Sequence, residues 1–327
     1  MTVDVPSPWE RAAEEIIRFN LHRVLVLGAS DSGKSTFCRF LYRYLVAKEK
    51  SAVMIDADIG QKDIGPPACI TSGFPRETAA TEISDAAGFF FVGGVSPFGR
   101  FLPIIVGVGR LTDLAGAVFK IIDTTGLVNG VGRILKGYKI EAVRPDVIVA
   151  IQRAAELELL LSAHRSCRIL RIPASANAVV RTRDERTRAR EAAFSAYFRS
   201  AVEVELGIDR LVFQRSRIFN GKPVKKSDFI YCEQSAEGLL AVTGKEIPVK
   251  RGLTIVKPEF EENLLCGIAD RINTGLGLAI IGGIDLRKRT VRLVSPVKRE
   301  AIEVLQMGDI YVSMDGRALG SRKPGDF

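Results

Sequence analysis

The chain is poor in the residues from which metal centres, disulfide frameworks and histidine chemistry are built. Its 327 residues hold two histidines, one tryptophan and five cysteines. The cysteines (Cys38, Cys69, Cys167, Cys232, Cys266) are odd in number, far apart and without metal-ligand spacing, so they read as reduced, mostly buried thiols. His22 and His164 read as polar fillers rather than acid-base catalysts, and Trp9 as a packing residue. No apolar run approaches the roughly 18 residues of a spanning helix. Residues 1–18 contain acids and no signal-like apolar block, so no membrane role and a cytoplasmic location are expected.

What is present suits a large, polyanion-compatible globule. At 46% hydrophobic the chain can bury sizeable cores, and its length favours two units. The net charge of +9 suits a nucleic-acid partner, though basic charge also serves solubility. Protein partners are not indicated.

Residues 8–19 place Trp9, Ala12, Ile16 and Phe19 at helical spacing, and Val24–Leu27 forms a buried strand ending in glycine. Further strand-like runs occupy 52–55, 119–122, 147–151 and 169–172, with helix-like stretches such as 154–164 between them. The alternation predicts an α/β fold, a parallel sheet covered by helices on both faces. After about Ile208 the texture turns to short strands and turns, with NGKP at 220–223 and GGID at 282–285. The expected domains are therefore 1–207, with a P-loop, and 208–327, smaller and β-rich. The last residues, SRKPGDF, read as a loose tail.

Residues 28–36, GASDSGKST, match G-x-x-x-x-G-K-[ST] between a strand and a helix. Gly28 and Gly33 let the backbone curl so that amides from Ser30, Asp31, Ser32 and Gly33 onward face phosphate, beside the positive end of the following helix. Lys34 is placed to reach the β- and γ-phosphates, Ser35 to offer its hydroxyl to Mg²⁺, and Thr36 to complete the cradle. The expected cofactors are ATP and Mg²⁺.

Two acids in DADIGQ, Asp56 and Asp58, leave the second strand at its carboxyl end, where open α/β sheets place ligands. An acceptor hydroxyl needs a base within hydrogen-bond reach, and Asp58 is the candidate, close enough to a metal to orient the attack. Asp123, ending VFKIID, is the candidate Walker-B-like carboxylate for magnesium. Its D-x-x-G context also fits a GTPase switch, but IQRAAE stands at 151–156 where a guanine-reading N-K-x-D is expected. Residues 181–190, RTRDERTRAR, put Arg186 and Arg190 at i, i+4 on one helical face, with Arg183 a turn earlier. Such a stripe suits a lid over the transferring phosphoryl group, spanning 181–198 and anchored by Tyr197 and Phe198.

Taken together these segments resemble the polynucleotide 5′-hydroxyl kinase family, which includes the RNA kinase of the eukaryotic pre-mRNA cleavage and tRNA-splicing machinery and the related pre-ribosomal RNA kinase. The carriers are GASDSGKST, the D-x-G-Q of Asp58–Gln61 with Pro66 and Pro67 soon after, GGVSP at 93–97, DTTGLVNGVG at 123–132, RPD at 144–146 and the arginine segment. The resemblance implies ATP-dependent phosphorylation of a 5′-hydroxyl RNA or DNA end, with Lys34, Asp58, Arg186 and Arg190 catalytic. It also implies acceptor contacts from Gln61, Thr124, Thr125 and Gly126, and a β-rich domain after the kinase core. Where many relatives carry N-T-S-G-W, this chain has Asp123 and Leu127, lacking an aromatic ring whose stacking contributes roughly 1–3 kcal/mol per base. The exposed-looking basic residues Lys222, Lys225, Lys226 and Arg287–Arg289 suit either nucleic-acid guidance or solubility. The competing expectation is a nucleotide-switched binding or scaffolding protein, which needs no acceptor-side base.

Overall fold

The computed structural model describes residues 6–75, 85–175, 178–248 and 250–323. It divides into two compact units, Met1–Ala193 and Phe194–Phe327. The last four residues of the expected tail lie outside the described residues.

The first unit opens with α1 (Ser7–Arg18), β1 (Arg23–Gly28), α2 (Lys34–Ala47) and β2 (Ala52–Ala57). There follow β3 (Cys69–Gly73), β4 (Ala86–Phe91), α3 (Phe101–Leu114), β5 (Phe119–Thr124), α4 (Val131–Val143), β6 (Val147–Gln152), α5 (Glu158–Leu161), β7 (Arg168–Pro173) and α6 (Arg183–Phe198), in which the unit boundary falls. Its sheet runs β4-β3-β2-β5-β1-β6-β7. The strands from β2 to β7 pair in parallel, whereas β3 and β4 are antiparallel additions beside β2.

Strand alternation sorts the core into two layers. Val24, Val26, Met54, Ile121, Val147 and Val149 face Trp9, Ala13, Ile16, Phe37, Leu41 and Leu45 of α1 and α2. Leu25, Leu27, Val53, Ile55, Ile122 and Ile148 face Ile104, Val108, Leu135, Ile140 and Leu161 of α3, α4 and α5. Because both faces are covered, the central strands are almost wholly apolar rather than alternating, the expected signature of a doubly covered sheet. Each fully buried aliphatic side chain contributes about 1.5–3 kcal/mol. Trp9 packs edge-on against Phe37 at 5.4 Å, fixing α1 on α2 as its packing role anticipates.

Two local expectations are corrected. The helix expected over 154–164 shrinks to α5, because Glu156 turns back to accept from the Arg153 and Ala154 amides. The GGID turn is instead the end of the strand Gly275–Asp285 in the second unit, where a register shift between Ile281 and Gly283 absorbs the glycines.

The second unit continues with β8 (Val202–Gly207), β9 (Val212–Gln214), β10 (Lys222–Pro223), β11 (Tyr231–Ser235), β12 (Gly238–Val242) and β13 (Leu253–Val256). It ends with β14 (Leu264–Ala269), β15 (Gly275–Asp285), β16 (Thr290–Ser295), β17 (Val304–Val312) and β18 (Ala318–Ser321). Strands β18-β17-β14-β15-β16-β8 form an antiparallel run, and β10-β11-β12-β13 a small second sheet. Between them lies a core of Leu206, Phe213, Leu240, Cys266, Ile281 and Leu305. Tyr197 accepts from the Leu278 amide at 2.8 Å, anchoring the end of α6. The five cysteines form no disulfide with one another.

The RPD segment has a structural task. Asp146 Oδ2 accepts from the His22 and Arg23 amides at 2.7 and 2.8 Å, fixing the start of β1 beside β6. Asp146→Ala is expected to lower unfolding stability by about 1–2 kcal/mol, since water partly replaces bonds at an exposed carboxylate. A urea midpoint that does not move would contradict this.

Candidate active site

The loop after β1 folds as its glycines dictate. Gly33 adopts φ +92°, open to glycine and strained for other residues. A Cβ on Gly28 would meet Ser32 Oγ at 2.4 Å and Ile151 O at 2.6 Å. Within the curl Ser32 Oγ is buried with no hydrogen-bond partner. An orphaned buried hydroxyl in a ring of amides is what a phosphate oxygen would satisfy. Lys34, 6% exposed, folds its ammonium back onto Ala29 O at 2.6 Å. Thr36 is exposed at the rim.

Asp123, the next-to-last residue of β5, accepts from Ser35 Oγ at 2.5 Å. Burial, reinforced by the negative charge of Asp56, raises its carboxyl to about 7, with Lys34 and Ser35 offsetting only part of the rise. A hydroxyl and a carboxylate, both hard oxygen donors, fit magnesium, which takes one or two protein oxygens and completes its shell with phosphate and water. No group of three or more His, Cys, Asp or Glu able to hold a metal occurs among the described residues, consistent with so sparse a set.

Asp56 and Asp58 part company. Asp56, 1% exposed, accepts from the Asp58, Asp63 and Ile64 amides and pairs with Lys62 at 3.1 Å. It is the scaffold of the loop that follows. Asp58 is half-buried, and its Oδ1 accepts from the Gly60 and Gln61 amides at 2.9 and 3.0 Å. Its Oδ2 takes no part in that turn. Gln61 in turn donates from Nε2 to Arg186 O at 3.1 Å.

Helix α6 begins with a capping box. The Glu185 amide donates to Thr182 Oγ1, and Glu185 accepts from the Thr182 amide. Of the arginine stripe, Arg186 and Arg190 are half-buried and Arg183 is exposed. Arg186 Nη2 pairs with Asp31 Oδ2 of the phosphate loop at 2.5 Å, so the structure brings lid, loop and Asp58 turn together. Arg190 contacts Thr187 Oγ1 at 3.3 Å within its own helix. Sequence reading missed Arg153, which donates to Ser30 O and Asp31 O.

On the acceptor side, Gly126 packs flush on the phosphate loop, since a Cβ there would lie 2.3–2.5 Å from Ser30 atoms. Thr124 departs from its expected acceptor contact: fully buried, it donates its hydroxyl to Val26 O at 2.8 Å and ties β5 to β1. Thr125, 6% exposed, lends its carbonyl to Lys136. Lys136 and Lys139, which sequence reading also missed, are both 0% exposed.

Residues 28–200 match the family described as mRNA cleavage and polyadenylation factor CLP1 P-loop. A polyribonucleotide 5′-hydroxyl-kinase of Pyrococcus furiosus is 29% identical over 342 residues, covering 98% of this chain and 96% of that one. Another so named, from Methanocaldococcus jannaschii, is 30% identical over 322 residues, covering 91% and 89%. The solved Clp1p–Pcf11p complex matches with a TM-score of 0.62 at 15% identity, over 92% of this chain and 78% of that one, a likeness of fold. No helix among the described residues is long and apolar enough to cross a membrane.

The raised Asp123 carboxyl sets a pH dependence in cation-free buffer. Below an ordinary carboxyl pKa of about 4 the group is protonated both folded and unfolded, and as pH climbs through about 7 it must ionise while buried. Between about pH 4 and 7 the unfolded chain has released this proton while the folded chain keeps it, so stability is expected to fall across that window, by on the order of 1–4 kcal/mol, and to level off above it. Asp123→Asn should flatten that slope in thermal melts; an identical slope would disprove the assignment.

Proposed function

The chain belongs to the CLP1 P-loop family, and from that membership we propose that it transfers the γ-phosphate of ATP to the 5′-hydroxyl end of RNA, with DNA ends as a second acceptor. The observation that carries this reading is one bonded unit. Asp58 accepts from the Gln61 amide, and the Gln61 side chain donates to Arg186 O, so the candidate base and a candidate phosphoryl-stabilising arginine are set by the same residue. A nucleotide switch has no use for an acceptor-side base linked in this way.

In the proposed reaction the 5′-oxygen attacks the γ-phosphorus in line. The new O–P bond forms as the bond to the β,γ-bridging oxygen breaks, and ADP leaves with that electron pair. The hydroxyl proton passes to Asp58, whose Oδ1 stays in its turn, leaving Oδ2 to receive it. Lys34, released from Ala29 O, offsets charge on the β- and γ-phosphates, and Arg186 and Arg190 offset charge on the group in flight. Ser35 and Asp123, with Asp58 near them, would hold a magnesium ion, which supplies charge neutralisation to the phosphate oxygens. Gln61, Thr125 and Gly126 line the approach of the acceptor. Leu127 offers no ring for stacking, so terminal-base preference should be weak.

The test supplies γ-labelled ATP with 5′-hydroxyl RNA and DNA oligonucleotides. Wild type should label the strand, and Asp58→Asn should lower the rate about 10²–10⁴-fold, the usual contribution of a positioned base. Free phosphate without labelled strand would instead favour the nucleotide switch.

A further inference from the structure

Two lysines three residues apart on α4, Lys136 and Lys139, share one face and lie wholly out of solvent. An ammonium leaves water only where fixed partners receive it, and a methionine would fill similar space without that demand. Both partners prove to be backbone carbonyls beside the reacting residues. Lys136 Nζ donates to Thr125 O at 2.5 Å and reaches Thr125 Oγ1 at 3.4 Å. Lys139 Nζ donates to Ala57 O at 3.3 Å.

That second bond falls on the peptide that carries Asp58. Its carbonyl end is held by Lys139 and its N–H end donates to Asp56 Oδ1 at 3.1 Å. With a hydrogen bond at each end, rotation of this peptide plane would break both, which favours one direction for the chain at Asp58. Lys136 holds the Thr125 carbonyl in the same manner, just before Gly126 packs on Ser30. Burial lowers both amines, Lys139 to about 8 and Lys136 well below the ordinary lysine value, and the negative charges of Asp58 and Asp123 counter that pull. Neither side chain reaches solvent, so each acts through the segment it holds.

We propose that these lysines are positioning residues with separate tasks: Lys139 fixes the Ala57–Asp58 peptide that aims the base, and Lys136 fixes the Thr125–Gly126 segment that receives the acceptor strand. The inference rests on the transfer reaction proposed above.

The test combines steady-state kinetics with amide hydrogen exchange on Lys139→Met and Lys136→Met, with the Gln substitutions as donor-retaining, uncharged companions should a Met variant fail to fold. Lys139→Met should lower kcat about 10- to 100-fold, the range typical when a group that orients a reacting residue is lost. Its acceptor KM should stay within about twofold of wild type. Lys136→Met should raise acceptor KM about 10-fold or more while kcat changes less. Exchange should quicken at 58–64 in the first and at 124–130 in the second. Unchanged kinetics with unchanged exchange would overturn the proposal, as would a loss spread over the whole chain, the mark of a merely structural role. If wild type labels no strand, the transfer reaction itself fails. Exchange then decides on the lysines: acceleration confined to those segments sustains the tethers, and its absence refutes them.

Discussion

Charge taken out of water must be answered locally, and at the carboxyl ends of β1, β2 and β5 that requirement shapes everything nearby. Asp56, Asp123, Lys34, Lys136 and Lys139 are all buried there, and the Lys62 side chain is fully covered. An isolated buried ion costs several kcal/mol after relaxation, so each group either has an opposite charge or dipole close by or is pushed toward its neutral form. Asp56 meets Lys62, Asp123 meets Ser35 and the field of Lys34, and the two α4 amines meet carbonyls and the field of Asp58. The nucleotide site is thus a feature of the charge-compensated sheet end rather than an ornament on a finished fold.

Within that arrangement neighbouring carboxylates have opposite fates. Asp56 accepts three backbone amides and an ammonium, so its lone pairs are occupied in building the loop to Ile64. Asp58, two residues later, is committed through one oxygen only. The end of β2 explains the difference: Asp56 lies within a fully buried strand, whereas Asp58 lies beyond its end.

Much of this was legible in sequence. The glycine-rich loop, the strand runs and the helices α1 and α6 follow from period and spacing because both covered faces demand unbroken apolar strands. The lysines of α4 were not legible: in VGRILKGYKIEAV, cations three apart read as a solvent face, and only the position of Thr125 and Ala57 in space turns them inward. Thr124 was misplaced for a similar reason, since its hydroxyl answers a neighbour in β1 that is distant along the chain. Arg153 escaped notice because a helical reading of 154–164 hid the bend that sends it toward the phosphate loop.

The start of α6 is fastened to the phosphate loop lightly. One neutral amide–carbonyl bond, Gln61 to Arg186 O, contributes about 1 kcal/mol. The partly exposed Arg186–Asp31 pair adds roughly 0–1 kcal/mol. A clasp of about 1–2 kcal/mol comes undone by thermal agitation for roughly 3–15% of the time, since 1.4 kcal/mol is a factor of ten. Contacts this weak leave the Arg186 guanidinium free to exchange Asp31 for another anion at little cost.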